Sequence, residues 1–153
     1  MEGVIVGLMI KPGEHPQKVV LEPGLKHLQE AVGGYIEVVY PFKDKVGIIC
    51  NEEGKLDGLP LNRALRDPKT GEITDIIAGN MLIVGLTEDD FGSLTGEQLI
   101  KYEALFHQPE CFVKMGRNIM AVPMTEEMLG SKGSKACKDI EREIMKTTGA
   151  PVL

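Results

Sequence analysis

The sequence predicts an α+β fold: a mainly antiparallel sheet with two or three packed helices. Three observations predict it. Apolar runs of strand length recur, "VIVGLMI", "YIEVVY", "VGIIC" and "MLIVGL", each bounded by turn residues. The links between them are short, which favours antiparallel neighbours. Two segments switch to helical spacing, and they interrupt blocks of strands rather than alternating strictly with them.

The elements follow in order. Val4 to Ile10 reads as a buried strand ended by "KPGEHP", and Gln17 to Leu21 as a short second strand that pairs with it. Pro23 stands where a helix can begin, because its missing N–H is no loss in a first turn. In "GLKHLQEAV", Leu25, Leu28 and Val32 share one helical face, and Gly33-Gly34 ends the helix. "YIEVVY" alternates Ile36, Val38 and Tyr40 with Tyr35, Glu37 and Val39. "PFKDK" turns the chain into "VGIIC", an antiparallel hairpin.

The polar stretch "NEEGKLDGLPLNRALRD", Asn51 to Asp67, comes next, and "DPKTGE" makes a turn. "ITDIIAGNMLIVGL" predicts a strand, a tight turn at Ala78-Gly79-Asn80 and a second strand from Met81 to Leu86, together a hairpin. Glu88, Asp89 and Asp90 suit a helical first turn. "TGEQLIKYEALF" is a clearer helix. Thr95 and Gln98 have capping-box spacing, and Leu99, Tyr102 and Phe106 form its inner face, with Leu105 beside them. "CFVKMGRNIMAVPM" predicts a hairpin around Gly116-Arg117-Asn118. A charged helix is expected from Ser134 to Lys146.

At 153 residues the chain fits about one domain with a small appended piece. With no Trp, the core falls to Ile, Val, Leu and eight Met. The net charge of −6 is uneven: residues 1–106 hold 10 basic and 17 acidic side chains (−7), residues 107–153 hold 7 and 6 (+1). A net-acidic chain repels phosphate, which disfavours direct nucleic-acid binding and suits a basic protein partner. No apolar run approaches the roughly 20 residues of a membrane span. The three cysteines, Cys50, Cys111 and Cys137, are too few and too scattered for a disulfide framework; Cys50 and Cys111 are expected as small core residues.

Catalytic patterns are not apparent. His15, His27 and His107 are far apart in sequence and none pairs with Cys at ligand spacing. His27 is read as a surface residue, and His107 as a cation at a helix end. No serine sits in a G-x-S-x-G elbow. "GSKGSK" lacks P-loop spacing. The acidic groups Glu52-Glu53 and Glu88-Asp89-Asp90 read as a turn and a helix start. No cofactor or metal is expected.

"LNRALRD" remains. Arg63 and Arg66 are three apart, which on one helical turn sets them on one face. Flanked by Asn62 and Asp67, they could fork onto a carboxylate or phosphate. Equally, they could pair internally with Asp57, Asp67 or Glu72.

Taken together, "GGYIEVVYPF", "NEEGKLDGLPLNRALRD", "DIIAGNMLIVGL" and "EDDFGSLTGEQLIKYEALF" resemble a family of small domains of unknown function. Its members occur in phages, plasmids and integrated elements of gut-type anaerobic bacteria. The resemblance runs from Val4 to Phe106. It implies a core domain over residues 1–106; residues 107–153 lie outside the strongest resemblance and are expected, from their own pattern, to form a hairpin and a charged helix that packs on the core or serves as an interaction arm. It also implies a mobile-element accessory protein rather than a metabolic enzyme, and proteins similar to this family are associated with inhibition of CRISPR nucleases.

The resulting expectation is a non-catalytic anti-defence protein acting in the bacterial host cytoplasm. It would occupy the basic surface of a guide-loaded CRISPR nuclease. Glu52, Glu53, Asp57, Glu88, Asp89 and Asp90 would be contacts, with Arg63 and Arg66 organising the loop. The alternative is a sponge for nucleotide signals or another small anionic ligand. In that case Arg63, Arg66 and Asn51 would line the pocket, at the interface of a homo-oligomer if one forms.

Overall fold

The computed structural model describes residues 3–129, 137–139 and 142–143. It has the expected α+β architecture. The main sheet runs β2-β1-β7-β4-β3, and a short β8 pairs with β7. Its strands are β1 (Ile5–Ile10), β2 (Gln17–Leu21), β3 (Ile36–Val39), β4 (Val46–Asn51), β7 (Met81–Leu86) and β8 (Phe91–Gly92). Every pairing is antiparallel. Central β7 and β4 are fully or nearly fully buried on both faces, so they read as continuous apolar runs rather than alternating ones.

Alternation decides which face each side chain serves. On one face, Ile5, Met9, Ile49, Leu82 and Val84 pack against Leu28 and Val32 of α1 (Leu25–Val32). On the other, Leu8, Ile10, Ile48, Met81 and Ile83 pack with Tyr102 and Phe106 of the α2 region, and with Leu65 and Ile77. Helix α2 spans Gly96–Leu105. Leu65 and Ile77 belong to a separate hairpin of β5 (Leu61–Arg66) and β6 (Ile73–Ala78). Burying each such aliphatic side chain is worth about 1.5–3 kcal/mol. A third hairpin pairs β9 (Glu110–Met115) with β10 (Asn118–Pro123), turning at Gly116 and Arg117 as expected.

The structure corrects several expectations. The segment "NRALR" is not a helical turn in a loop but strand β5. The strands flanking Ala78-Gly79-Asn80 do not form a hairpin: β6 pairs with β5, and β7 pairs with β1, β4 and β8. Gly79, at φ 79°, takes the chain from one sheet to the other. Residues 87–90 form a turn closed by Thr87 and Asp90, not a helix start. Leu25 and Leu105 are exposed rather than packed inward.

Cys111 is buried in β9 and is disulfide-bonded to Cys137, so the expectation of isolated cysteines fails for this pair. The pairing is tertiary: 26 residues separate the two, and only the fold brings their Cα atoms to 5.1 Å. Cys50 is free and buried, as expected. The helix expected from Ser134 to Lys146 lies largely outside the described residues; within it, residues 137–139 and 142–143 are helical.

Candidate functional site

The Asn51–Asp67 stretch divides into a stapled loop and a buried strand. The loop begins at Asn51, whose Nδ2 donates to Val32 O (3.2 Å) and whose Oδ1 accepts from the Glu53 N–H (2.8 Å). Successive turns follow, with Asp57 N–H donating to Glu53 O at 2.8 Å and Leu59 N–H to Gly54 O at 2.9 Å. Gly54 lies against β6 so closely that a Cβ would meet Ala78 O at 2.8 Å. Lys55 Nζ reaches Asp75 Oδ1 at 2.7 Å, and Gly79 N–H closes the far end onto Pro60 O. The backbone is therefore fixed along its length. Glu52, Glu53 and Asp57 are exposed, and their carboxylates make no hydrogen bond or ion pair among the described residues.

Strand β5 is buried from Asn62 to Leu65, and it brings two successive polar side chains, Asn62 and Arg63 (0% and 1% exposed), into contact with each other. A register shift between Leu61 and Arg63 permits it, since a bulge breaks the alternation and re-aims a side chain. Asn62 Nδ2 donates to Ile10 O and Gly79 O, both at 2.8 Å. Arg63 donates from all three nitrogens: Nε to Phe106 O (3.0 Å), Nη1 to Asn62 Oδ1 (3.0 Å) and Nη2 to Glu14 O (2.6 Å). Burial pushes the guanidinium down to about 10, partly offset by the charge of Glu110, so it remains cationic at neutral pH. Carbonyl dipoles thus take the place of water around the charge.

Arg66 is exposed and forks onto Glu110, with Nη2–Oε2 at 2.5 Å. Glu110 Oε1 also accepts the Ala64 N–H. The two arginines therefore act as internal pins, but neither pairs with Asp57, Asp67 or Glu72. Asp67 instead accepts the Lys69 and Thr70 N–H groups and shapes the turn. An anion pocket of Arg63, Arg66 and Asn51 does not form. The small cavity beside Asn51, about 90 Å³, is lined instead by Glu37, Glu52, Asp75 and Cys50, with Lys55, already held by Asp75, as its one cation among the described residues. Burial, and then the charges of Glu37 and Asp75, push the Cys50 thiol up to about 11, leaving it unreactive at neutral pH.

The two acidic groups are not brought together. Leu82 pairs with Ile49, and Gly85 with Val46. The Asn51 loop therefore leaves one end of the sheet and Glu88-Asp89-Asp90 the other. About 17 Å of strand lies between them.

Sequence reasoning missed three features. Glu110 was a lone acid opening an apolar strand, and that oddity was the available signal. Asp44 accepts from Tyr102 OH (3.1 Å), Gln98 Nε2 (3.1 Å) and its neighbour's N–H, tying α2 to the β3–β4 turn. His15 and His107, far apart in sequence, stack at 4.2 Å, with His15 Nδ1 at 2.8 Å from His107 O and His107 Nδ1 at 2.9 Å from Glu103. These histidines follow Glu14 and Phe106, the residues whose carbonyls Arg63 holds. Among the described residues, no group of three or more His, Cys, Asp or Glu is placed to hold a metal.

Residues 5–107 match the family model described as a domain of unknown function, DUF3846. Neither the curated proteins nor the solved structures contain a match to the chain.

Proposed function

We propose a non-catalytic binding role for this chain, which belongs to the DUF3846 family by a match over more than half its length. One observation carries the reading. In Asn51–Asp67 each cation is engaged within the chain, Lys55 by Asp75, Arg63 by buried acceptors and Arg66 by Glu110, while Glu52, Glu53 and Asp57 stand unpaired among the described residues on a backbone that is stapled at both ends. Preorganised, exposed carboxylates cost little to order on binding and complement a basic surface.

The concrete form of the proposal is an anti-defence protein from a phage or mobile element, acting in the bacterial host cytoplasm. There it inhibits a CRISPR-associated nuclease by covering the basic channel that holds nucleic acid. The motif resemblance over Val4 to Phe106 supports this choice of partner. Because the acidic turns lie at opposite ends of the sheet, the Asn51 loop is the primary contact and Glu88-Asp89-Asp90 a separate one. The nucleotide-sponge alternative loses its expected pocket, since Arg63 is saturated internally and Arg66 is held by Glu110.

The test is co-purification with guide-loaded nucleases and a cleavage assay. A complex that weakens with salt, and inhibition lost on Glu52→Lys with Glu53→Lys, is the expected result. Full cleavage and no complex across a nuclease panel would reject the proposal. A thermal shift of the chain by a nucleotide would revive the alternative.

A further inference from the structure

An open trough of about 840 Å³ shares Lys55, Asp75 and Ile76 with the Asn51 cavity. One wall is β6 with the end of the Asn51–Pro60 loop; the other is the tip of the β9–β10 hairpin. Leu59, Leu61, Ile73 and Ile119 give it an apolar lining, and Ile119 is 40% exposed. Lys55, Lys114 and Arg117 stand on its rim, against Glu72 and Asp75. Asp75 is already engaged by Lys55 and by the Ile76 N–H. Lys114 and Arg117 make no ion pair among the described residues. On a chain of net charge −6, this surface is locally cationic.

Lys114 and Ile119 pair across the β9–β10 hairpin, which therefore turns a face to the trough, and β6 contributes Ile73 to Ile76 opposite it. Among the described residues β6 pairs only with β5, and β10 only with β9. An unpaired strand edge, such as that of β6, can capture an extended peptide by backbone pairing. The volume falls within the roughly 300–1,000 Å³ of ligand clefts.

We propose that this trough docks an extended acidic segment of a partner protein, its carboxylates on Lys114 and Arg117 and its alternate apolar side chains on Leu59, Leu61, Ile73 and Ile119. The charge of the rim selects acid over base, the lining selects apolar residues, and the strand walls select an extended backbone. The trough shares Lys55, Gly58 and Leu59 with the loop of the proposed function, but Glu52, Glu53 and Asp57 do not line it, so different variants test the two proposals.

The experiment is fluorescence anisotropy on the full chain at low salt. The probes are a fluorescein-labelled Glu-Leu-Glu-Ile-Glu-Leu-Glu peptide and its Lys-for-Glu counterpart. The acidic peptide should bind and the basic one should not. Lys114→Glu with Arg117→Glu should weaken binding by about tenfold. The milder Lys114→Gln with Arg117→Gln should weaken it less while keeping the thermal transition, which serves if the reversal disturbs folding. Glu52→Lys with Glu53→Lys should leave peptide binding in place. Equal binding of the two peptides, no acidic-peptide binding up to about 1 mM, or binding unaffected by both rim variants would overturn the proposal. So would self-association, seen by light scattering and removed by the same rim variants, because it assigns the trough to a second copy.

Discussion

Helices α1 and α2 cover opposite faces of one sheet, yet they are held in opposite ways. Helix α2 begins with a full capping box, in which the Thr95 side chain accepts from Gln98 N–H and Gln98 Oε1 accepts from Thr95 N–H. Its far end is gripped by a cation, because Arg63 donates to the Phe106 carbonyl where the helix dipole is negative. Helix α1 starts at Gly24 with no side-chain cap. It is tied only at its C-terminal end, where Asn80 and Asn51 donate to the carbonyls of Ala31 and Val32 and Gly33 adopts the left-handed conformation. One helix carries its own start signal; the other depends on apolar contact and on amides lent by the sheet. A short helix without a cap is stable only where its apolar face is buried.

The largest expected effect lies at the gripped end. Arg63→Ala leaves three buried oxygens without their donor and opens a cavity, costing about 3–5 kcal/mol. Urea unfolding should show this, and Arg63→Lys should recover only part, since one ammonium cannot reproduce the three-way fork. A loss under about 1 kcal/mol would mean that the grip on α2 is ornamental.

On the opposite face, Leu28→Ala removes a side chain that is 3% exposed and should cost about 2–4 kcal/mol. If it exceeded Arg63→Ala, apolar contact and not the polar pin would be the dominant fastening.

The third test compares helix ends directly. Asn51→Ala frees the Val32 carbonyl and the Glu53 N–H and should cost about 1–2 kcal/mol. Thr95→Ala breaks the capping box and should cost about 1 kcal/mol. Amide exchange should localise the first loss to α1 and the second to the start of α2.

The smallest effect is a pH slope. Burial pushes Asp44 up, but hydrogen bonds from Tyr102, the Lys45 N–H and Gln98, with the charge of Lys101, outweigh it and hold the carboxyl below its ordinary value. A depressed folded value means the stabilisation is present above the ordinary carboxylate range and is lost as pH falls through the folded value. Melting followed from neutral to acid pH should therefore fall less steeply in Asp44→Asn. Identical slopes would remove Asp44 from the ties on α2. The same contact, after burial itself, holds the Tyr102 phenol up at about 12, so its absorbance titration should stay suppressed until strongly alkaline pH.

What could be read in advance was local. Apolar runs and alternation located β1 to β4, β7 and the β9–β10 hairpin, and the Thr95–Gln98 spacing located the start of α2, because those signals arise within a few residues. The Asn51 turn, the Asp67 turn and the exposed acids of the loop were legible for the same reason. The strand "NRALR" was not, because its bulge hides the period of two and its burial of Asn62 and Arg63 looks like a polar surface. The question of whether its arginines point in or out had no local answer.

The sequence by itself determined the α+β class, the β1–β2, β3–β4 and β9–β10 hairpins and the acidic charge, since propensity, periodicity and charge act at short range. Only the tertiary structure decided that Arg63 serves Glu14 and Phe106, that Arg66 finds Glu110, that Cys111 meets Cys137 and that the two acidic turns stand at opposite ends. The first three are contacts between residues separated by more than 20 positions, and the fourth follows from how β4 and β7 pair. A buried charge must be surrounded by dipoles from whichever segments the fold delivers, and no spacing rule along the chain specifies which segments those are.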